Sequence, residues 1–432
     1  MPPPGPQRDP LDERLQARDL SVRYAALDDL REKASPRVMA RAAAPLLADP
    51  DPGLRERASR LLATLSAPER AAQEVAPYIT HADITTRNLA GEVLVALGAP
   101  ATNALAPFLR HDDADVRKFA IDLLAQLPAN ALADDIADAL DDADANVRLA
   151  AVDALGALQA TAYADALRDL YDREPRARPD IIQAMGAFGE DADLDVLERG
   201  LKDDHPVVQL ASAEALASHD APEVIDLLLD QLDRVNPMAR PVVLHSIVEL
   251  CTNYPRYRDA LPDAMKGYLL DMLADDDCAF RCAAARGLRW FPDDALYEAM
   301  LGHAGRDEAL DMELFTTLLS HPTPFRPLHR AATSGHMPPS MAATFTVGLM
   351  ARGALSNPDY ERIGTLLERH FDALSVDDKI TTVGLCKQMN RPELRGIMAA
   401  ARRDPAPQVQ ALAADAHFSS SAPASSYDER TL

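Results

Sequence analysis

The chain has 432 residues, of which 47% are hydrophobic, and its 44 Lys and Arg face 68 Asp and Glu, which gives a formal net charge of -24. The excess is uneven, because residues 101–230 carry 10 basic and 28 acidic groups whereas residues 1–100 are nearly neutral. Nucleic-acid binding draws its affinity from clustered Lys and Arg, so this balance argues against a general DNA- or RNA-binding protein. The hydrophobic content suffices for a core, in two or three domains or in one extended array.

The two ends of the chain are predicted to be disordered. Residues 1–10 are rich in proline and residues 417–432 are rich in serine, so neither segment offers much apolar surface to pack. The chain does not start with a basic segment followed by an apolar stretch, and no window approaches the roughly 18 apolar residues of a spanning helix. Four scattered cysteines fit a reducing compartment better than a disulfide framework. We therefore expect a cytoplasmic protein that does not insert into membranes.

Residues 11–250 are organised by a repeat of about 31 residues. Each copy has an acidic or proline-containing turn, then an apolar residue and Arg, then an Ala-rich apolar stretch. At intervals of 30 to 32 residues, the Arg position is occupied in turn by Arg23, Arg55, Arg87, Arg117, Arg148, Arg178, Gln209 and Arg240. The next interval is 41 residues and ends at Arg281, and weaker copies follow near Glu313, Met341, Lys379 and Gln410.

Each repeat is predicted to form two helices. In the copy that ends near Gly156, residues spaced by four form one apolar stripe at Leu132, Ile136 and Leu140 and a second at Val147, Ala151 and Leu155. The Asp and Asn residues between the two stripes are suited to cap the second helix and to complement its dipole. Long β-branched alternation is missing from the sequence. These patterns predict an all-α fold, an α-solenoid of about 12 to 13 helical pairs.

The helical pairs, the Asp-rich turn and the Val-Arg that opens the second helix resemble HEAT repeats, particularly the short HEAT-like type of phycobilin lyases. Pro45, Pro77 and Pro107 support the resemblance, because each lies ten residues before a repeat Arg, where it would bend the first helix. The resemblance covers residues 11–416 and is strong to about residue 290. In this family the turn Asp and the Arg form a structural ladder between repeats, which implies that role for Arg55, Arg87, Arg117, Arg148 and Arg281.

The resemblance also implies a concave surface that is lined by the second helices and binds a partner. The fifth residue after each repeat Arg should be exposed there. All nine such residues are polar: Asp28, Arg60, Glu92, Asp122, Asp153, Gln183, Glu214, His245 and Arg286. The four acids Glu92, Asp122, Asp153 and Glu214 form a row that could attract a basic segment of a protein partner. The alternative is a solvated face without a partner.

An insertion at residues 251–262 explains the widened interval and is a second candidate contact surface. It brings together Tyr254, Arg256, Tyr257 and Arg258, and Trp290 follows in the next repeat. Insertions between repeats often map to the binding face, where Tyr, Trp and Arg are favoured. The same aromatic residues could instead pack a longer loop. Residues 263–416 are predicted to continue as more irregular HEAT-like repeats.

No catalytic or metal-binding sequence pattern accompanies the repeats. Phosphate-binding, esterase and zinc-protease motifs are missing from the sequence, and His321, His329 and His336 lack a compact ligand spacing. We therefore expect a non-enzymatic scaffold or regulatory adaptor that binds a protein partner and needs no cofactor. The alternative is a HEAT-like enzyme, or a chaperone-type lyase, that acts on a bilin or a protein-bound cofactor.

Overall fold

The computed structural model describes residues 10–414, which contain helices and turns and no strand. Within this range, 26 α-helices form thirteen successive pairs, each with a first and a second helix. The fold is therefore an all-α solenoid, as the sequence predicted. The chain divides into two compact units, of which unit 1 ends at Asp220 and unit 2 begins at Ala221.

Unit 1 contains seven pairs: α1 (Pro10–Leu15) and α2 (Leu20–Lys33), α3 (Pro36–Ala43) and α4 (Pro52–Ala63), α5 (Pro68–Val75) and α6 (Ile84–Leu97), α7 (Ala99–Leu105) and α8 (Ala114–Leu124), α9 (Ala133–Asp138) and α10 (Ala145–Ala157), α11 (Ala164–Arg173) and α12 (Arg178–Ala187), α13 (Leu194–Leu201) and α14 (Pro206–Ala217).

Unit 2 contains six pairs in its described part: α15 (Pro222–Gln231) and α16 (Arg240–Asn253), α17 (Met265–Met272) and α18 (Cys278–Leu288), α19 (Asp294–Leu301) and α20 (Glu308–Leu319), α21 (Phe325–Ser334) and α22 (Pro339–Ala351), α23 (Tyr360–His370) and α24 (Val376–Met389), α25 (Arg395–Ala401) and α26 (Pro407–Ala414).

Several second helices of unit 1 begin at an aspartate that caps them. The Asp51 carboxylate accepts a hydrogen bond from the Leu54 N–H of α4 at 2.9 Å, and the Asp144 carboxylate accepts one from the Asn146 N–H of α10 at 2.8 Å. Such a cap satisfies an N–H group that has no partner inside the helix, and its charge complements the helix dipole. Part of the acidic excess of unit 1 therefore serves the local structure of the repeats.

Three first helices of unit 1 change geometry at a proline. α3, α5 and α7 each end two residues before Pro45, Pro77 and Pro107, respectively. The chain then continues as a short 3₁₀ helix at Ala44–Ala48, Ala76–Thr80 and Ala106–Arg110. Proline lacks the N–H group that a continuing α-helix would need. The sequence predicted a bend of the first helix at these prolines, and the structure shows a change from α-helix to 3₁₀ helix there.

The second helices of unit 1 pack closely because small residues meet between them. A Cβ atom added at Gly156 of α10 would lie 2.8 Å from the Ala184 Cα atom of α12, and one at Gly186 would lie 2.8 Å from the Ala215 Cβ atom of α14. Carbon atoms do not approach this closely without a shift, so a larger residue would force neighbouring helices apart. The second helices thus form a continuous layer through α10, α12 and α14.

An Arg–carboxylate pair joins neighbouring repeats in unit 1. The Arg117 guanidinium donates from Nε and Nη2 to the two carboxylate oxygens of Asp142, with both distances 2.8 Å. Arg148 binds Glu174 in the same two-point way, at 2.8 and 2.9 Å. The Nη1 atom of each Arg also donates to a backbone carbonyl at the end of its own first helix, as from Arg148 to Asp142 O at 2.8 Å. Paired charge-assisted hydrogen bonds of this kind are strong and directional.

The same position is filled differently elsewhere along the chain. In unit 2, Arg281 Nη2 lies 2.6 Å from Asp307 Oδ2, and a nearly buried Lys379 lies 2.8 Å from the buried Asp404. Arg55 donates to Asp49 O at 2.8 Å, and Arg87 is half-buried at the equivalent point of α6. The turn position that Asp142 occupies in its repeat is occupied by a histidine in two other repeats. These are His81, in the repeat after Arg55, and His111, in the repeat after Arg87.

The repeat register after Arg281 departs from the extrapolated one in two places. The repeat position can be defined by a backbone hydrogen bond. The Arg281 N–H donates to the carbonyl of Asp277, the residue that precedes α18. By this criterion α20 has Asp311 at the position and α22 has Ala342, rather than Glu313 and Met341. Lys379 and Gln410 occupy it as the spacing indicated.

The predicted disordered tails, residues 1–10 and 417–432, lie outside the described residues, apart from Pro10, which begins α1. At the predicted insertion, residues 251–262, α16 continues to Asn253. A 3₁₀ helix, Pro255–Ala260, then precedes α17. The longer interval between repeats is thus filled by ordered helical turns.

Candidate protein-interaction surface

The candidate surface is the second-helix face, defined by the side chains five residues after each repeat position. All nine predicted residues, from Asp28 to Arg286, are at least partly exposed to solvent. In unit 1 this face runs along α2, α4, α6, α8, α10, α12 and α14, whose consecutive members contact one another. The helical periodicity of the sequence therefore identified side chains that a partner could reach.

The middle of this face in unit 1 carries the acidic row, which consists of Glu92, Asp122, Asp153 and Glu214. Glu92, Asp153 and Glu214 are exposed, and within residues 10–414 they form neither a side-chain hydrogen bond nor an ion pair. Asp122 differs, because its carboxylate lies 2.7 Å from the Lys118 ammonium group of the same helix. Three of the four charges are thus available to a cationic partner.

One carboxyl of the acidic row, that of Asp153, has a shifted pKa. Desolvation by its surroundings, followed by the negative charges of Asp180 and Asp122, raises the pKa of the Asp153 carboxyl above its ordinary value. Like charges close together disfavour ionisation of each other. A cation placed between these three carboxylates would relieve their repulsion.

A groove of about 470 Å³ lies between α6 and α8 on the same face, and we call it the α6–α8 groove. Its walls are mainly apolar, with Val95 and Ala96 on one side and Phe119 and Leu123 on the other, and Glu92 stands in its lining. The groove depends on Gly91, because a Cβ atom there would lie 2.9 Å from the Phe119 ring. The acidic row therefore begins beside an apolar recess.

A second cavity of about 410 Å³, the α2–α4 pocket, has the opposite charge. Three arginines line it, Arg31 from α2 and Arg57 and Arg60 from α4, together with one carboxylate, Asp28. Arg57 stacks over the Tyr24 ring at 4.6 Å and is 3.7 Å from Asp28. The first repeats thus present a basic pocket on the face that later becomes acidic.

The second-helix face of unit 2 carries charges that are paired with one another. Arg286 of α18 forms an ion pair with Glu249 of α16, and its Nε atom lies 3.8 Å from Glu313 of α20. Arg289 reaches the same Glu313 at 2.9 Å. His245 packs edge-on against the Phe280 ring, with the ring centroids 5.6 Å apart. In this part of the chain the exposed charges largely neutralise one another.

The aromatic and basic residues of the predicted insertion separate into two groups. Arg258 donates to the Cys251 and Thr252 carbonyls at 2.8 and 3.2 Å, which closes the end of α16, and its guanidinium stacks on the half-buried Trp290 at 5.2 Å. Arg256 is exposed and lies 5.1 Å from the ring centre of Tyr257. Tyr254 is half-buried. Arg258 and Trp290 therefore hold the insertion against the next repeat, whereas Arg256 faces solvent.

The repeat pattern of the sequence does not reveal the α2–α4 pocket or the α6–α8 groove. Arg31 and Arg57 lie outside the fifth-residue pattern that identified the acidic row, and Gly91 resembled any helical glycine. A signal was present in the sequence, because Arg31, Arg57 and Arg60 are concentrated in two adjacent second helices. The cavities themselves require the packing of neighbouring helices, which the repeat pattern does not specify.

Groups with metal-binding or nucleophilic chemistry were compared among the described side chains. Within residues 10–414 no group of three or more His, Cys, Asp or Glu could hold a metal ion. Burial raises the pKa of Cys386 to about 12 and that of Cys251 to about 11, so both are weak nucleophiles at neutral pH. No helix among those described is long and apolar enough to cross a membrane.

The sequence matches the family model for HEAT repeats at residues 102–180 and 170–248. These residues, which extend from α7 into α16, therefore form HEAT repeats, and the resemblance seen in the sequence is confirmed at this level. The match does not separate the phycobilin-lyase type from other HEAT repeats, so that subtype stays a prediction. A search of curated proteins finds no match to the chain.

Solved structures match the chain at low similarity. The karyopherin Kap121p bound to the extreme C-terminus of the protein phosphatase Cdc14p is 12% identical, with a TM-score of 0.46 over 93% of this chain and 48% of that one. Kap95p, in a complex with RanGDP, is 12% identical, with a TM-score of 0.47 over 94% and 68%. An engineered protein is 16% identical, with a TM-score of 0.37 over 84% and 97%. The chain thus spans about half the length of Kap121p, and TM-scores below 0.5 do not transfer what these proteins bind.

Proposed function

We propose that this HEAT-repeat protein is a non-enzymatic scaffold or adaptor that binds a basic segment of a protein partner along the second-helix face of unit 1. The observation that carries the proposal is the acidic row, in which three of four carboxylates are exposed and unpaired within the described residues. Unpaired charges of one sign attract an oppositely charged partner and raise its association rate. A cytoplasmic location belongs to the same proposal.

Two further observations support this surface over other acidic parts of the chain. The α6–α8 groove supplies apolar area next to Glu92, and charge with adjacent apolar area is the usual composition of a binding surface. Desolvation and the like charges of Asp180 and Asp122 raise the pKa of Asp153, so a cation bound nearby would favour its ionised form. By contrast, acids such as Asp144 already serve as helix caps.

The test uses a fluorescein-labelled peptide of alternating Lys and Ser, and its anisotropy is measured on titration with the full chain. The test variant, E92Q/D122N/D153N/E214Q, neutralises the acidic row. Each exposed charge contributes about 0.4 kcal/mol to an ion pair, so we expect about tenfold weaker binding. Binding should also weaken as salt is raised through about 150 mM.

A matched control changes the net charge equally on the opposite side of unit 1. It replaces four exposed acids of the first helices and their adjoining turn, which have no ion pair within the described residues: Glu69, Glu190, Asp169 and Asp195. This control should bind the peptide about as well as the wild type. Equal losses in both variants would show that only net charge matters and would reject the acidic row as the site.

A further inference from the structure

We propose that the bound segment is bipolar, with an anionic group in the α2–α4 pocket, an apolar side chain in the α6–α8 groove and basic residues on the acidic row. This inference rests on the proposed function and extends it, because it assigns a ligand to a pocket whose charge is opposite to that of the row. The anionic group is a carboxylate or a phosphoryl group.

The α2–α4 pocket has the chemistry of an anion site. Arg31 is exposed and has no hydrogen bond or ion pair within residues 10–414. Arg57 is 3.7 Å from Asp28, too far for a good hydrogen bond. Arg60 binds Glu56 on its own helix at 2.7 Å, and both side chains are about 70% exposed, at 72% and 69%, so this pair is weak and exchangeable. A guanidinium group can donate two parallel N–H bonds to two oxygens of one carboxylate or phosphate.

The lining of the pocket favours an anion that is attached to a larger molecule. Leu27 is buried at the base, Leu61 is half-buried, and Thr64 adds an exposed hydroxyl. A cavity of about 410 Å³ is much larger than one water molecule, whose share of liquid volume is about 30 Å³. It therefore has room for an anionic side chain together with its aliphatic stem.

The order of the helices fixes the order of the groups along the segment. Packed helices are separated by about 9 Å, so the α2–α4 pocket and the α6–α8 groove are about 18 Å apart. An extended chain covers that distance with about five or six residues, at about 3.3 Å per residue. From the groove to Asp153 on α10 the same reasoning gives about 14 Å, or about four residues.

The experiment compares two synthetic peptides by anisotropy at about 150 mM salt. Both carry an apolar Leu followed about four residues later by a Lys-rich stretch. The bipolar peptide has two Glu about five residues before the Leu, and the basic-only peptide has two Gln there. A third peptide carries phosphoserine in place of Glu and separates a phosphoryl preference from a carboxylate preference. We expect the bipolar or the phosphorylated peptide to bind the wild type about three- to tenfold more tightly than the basic-only peptide.

The advantage should disappear in the variant R31Q/R57Q/R60Q. A matched control, R18Q/R37Q/R41Q, replaces exposed arginines outside the second helices that have no partner within the described residues, and it should keep the advantage. If the wild type binds the bipolar, phosphorylated and basic-only peptides equally, the bipolar inference is wrong and the proposed function stands. If no peptide binds, the proposed function itself fails. The comparison of peptides on the wild type needs no variant and does not depend on whether a variant folds.

Discussion

In both units one side of the second helices is exposed, but the charged residues on it differ in whether they form ion pairs. In unit 1, Glu92 and Asp153 are exposed without an ion pair in the described structure, and Asp153 has a raised pKa. In unit 2, Arg286 is held by Glu249 and also lies near Glu313. A carboxyl whose pKa is raised by its surroundings costs stability when it is ionised, whereas an opposite charge nearby favours the ionised form. This difference in charge pairing is why the proposed binding surface lies on unit 1 rather than on unit 2.

The pairs that connect neighbouring repeats show a second difference. Arg148 and Glu174 of unit 1 keep 21% and 22% of their side chains exposed, whereas Lys379 and Asp404 of unit 2 keep 8% and 0%. The ions of a partly exposed pair keep some of their hydration. In a buried pair each ion has lost its hydration and is stabilised mainly by the opposite charge. Substitutions can test both differences, and the buried pair should show the largest effect.

The largest expected effect comes from Lys379→Met, which leaves Asp404 buried without a cation. We expect a loss of about 3–5 kcal/mol in the unfolding free energy of unit 2, measured by urea denaturation. The double variant K379M/D404L removes both charges and should recover most of that loss. A loss below about 1 kcal/mol in the single variant would show that Asp404 is solvated and would remove this contrast between the units.

The pH dependence of the Lys379→Met effect has a definite sign. Desolvation is the largest single influence on Asp404 and raises its pKa. The hydrogen bond and the positive charge of Lys379, together with the hydrogen bond from the Ala406 N–H, outweigh desolvation and lower the pKa below the ordinary value of 3.8. A carboxyl with a lowered pKa stabilises the fold above its ordinary pKa, and this stabilisation is lost as the pH falls through the folded value. Without Lys379 the pKa should instead be raised, so the difference between variant and wild type should shrink as the medium is acidified.

A smaller loss is expected from the half-exposed pair of unit 1. Arg148→Met removes two bonds to Glu174 and the bond to the Asp142 carbonyl, and we expect a loss of about 2 kcal/mol by the same measurement. Arg148→Lys keeps the charge but loses the planar fork, so it should recover only part of the stability. Complete rescue by lysine would show that charge alone, rather than two-point geometry, joins these repeats.

The binding contrast can be sharpened by exposing the charges of unit 2. In a chain whose acidic row is already neutralised, R286Q/R289Q frees Glu249 and Glu313 from their ion pairs. We expect this change to restore about threefold of the lost affinity for the Lys/Ser peptide, measured by anisotropy. No gain would mean that unpaired acids on a second-helix face are not sufficient to bind the Lys/Ser peptide.

The fold could be predicted from the sequence because its signals are local. Caps such as Asp144 and the prolines of the first helices concern residues within one repeat, and the spacing of Arg117 and Arg148 concerns only neighbouring repeats. The exposure of the acidic row followed from helical periodicity alone. After Arg281, where the regular spacing ends, Asp311 stands at the position that the spacing placed near Glu313.

The state of the charges could not be predicted, because it depends on contacts between repeats. The helical pattern predicts that Arg286 is exposed, but it does not reveal the partner Glu249, which lies 37 residues earlier in the chain. Glu92 belongs to the same sequence pattern and has no such partner within the described residues. Helical periodicity predicts which side chains are exposed but not which of them form ion pairs. For the same reason it does not predict the α2–α4 pocket.

The smallest expected effect concerns Asp153, where one substitution should change both the unfolding free energy and peptide binding. Asp153 has a raised pKa in the folded chain, so its ionised form costs stability at neutral pH, and this cost vanishes below the ordinary value of 3.8. Asp153→Asn should therefore stabilise unit 1 at pH 7 by less than about 1 kcal/mol, since the side chain is exposed and screened. The gain should disappear when unfolding is measured near pH 3.

The same substitution should weaken binding of the Lys/Ser peptide, because it removes the central charge of the acidic row. A residue that costs stability and supports binding is typical of a functional site, since sites often keep groups that the fold alone would not favour. Asp169→Asn, which removes an exposed acid from α11, should change neither property appreciably. If Asp153→Asn stabilises the chain and leaves binding unchanged, the strain at Asp153 serves no partner, and the contrast between the units reduces to one of charge pairing.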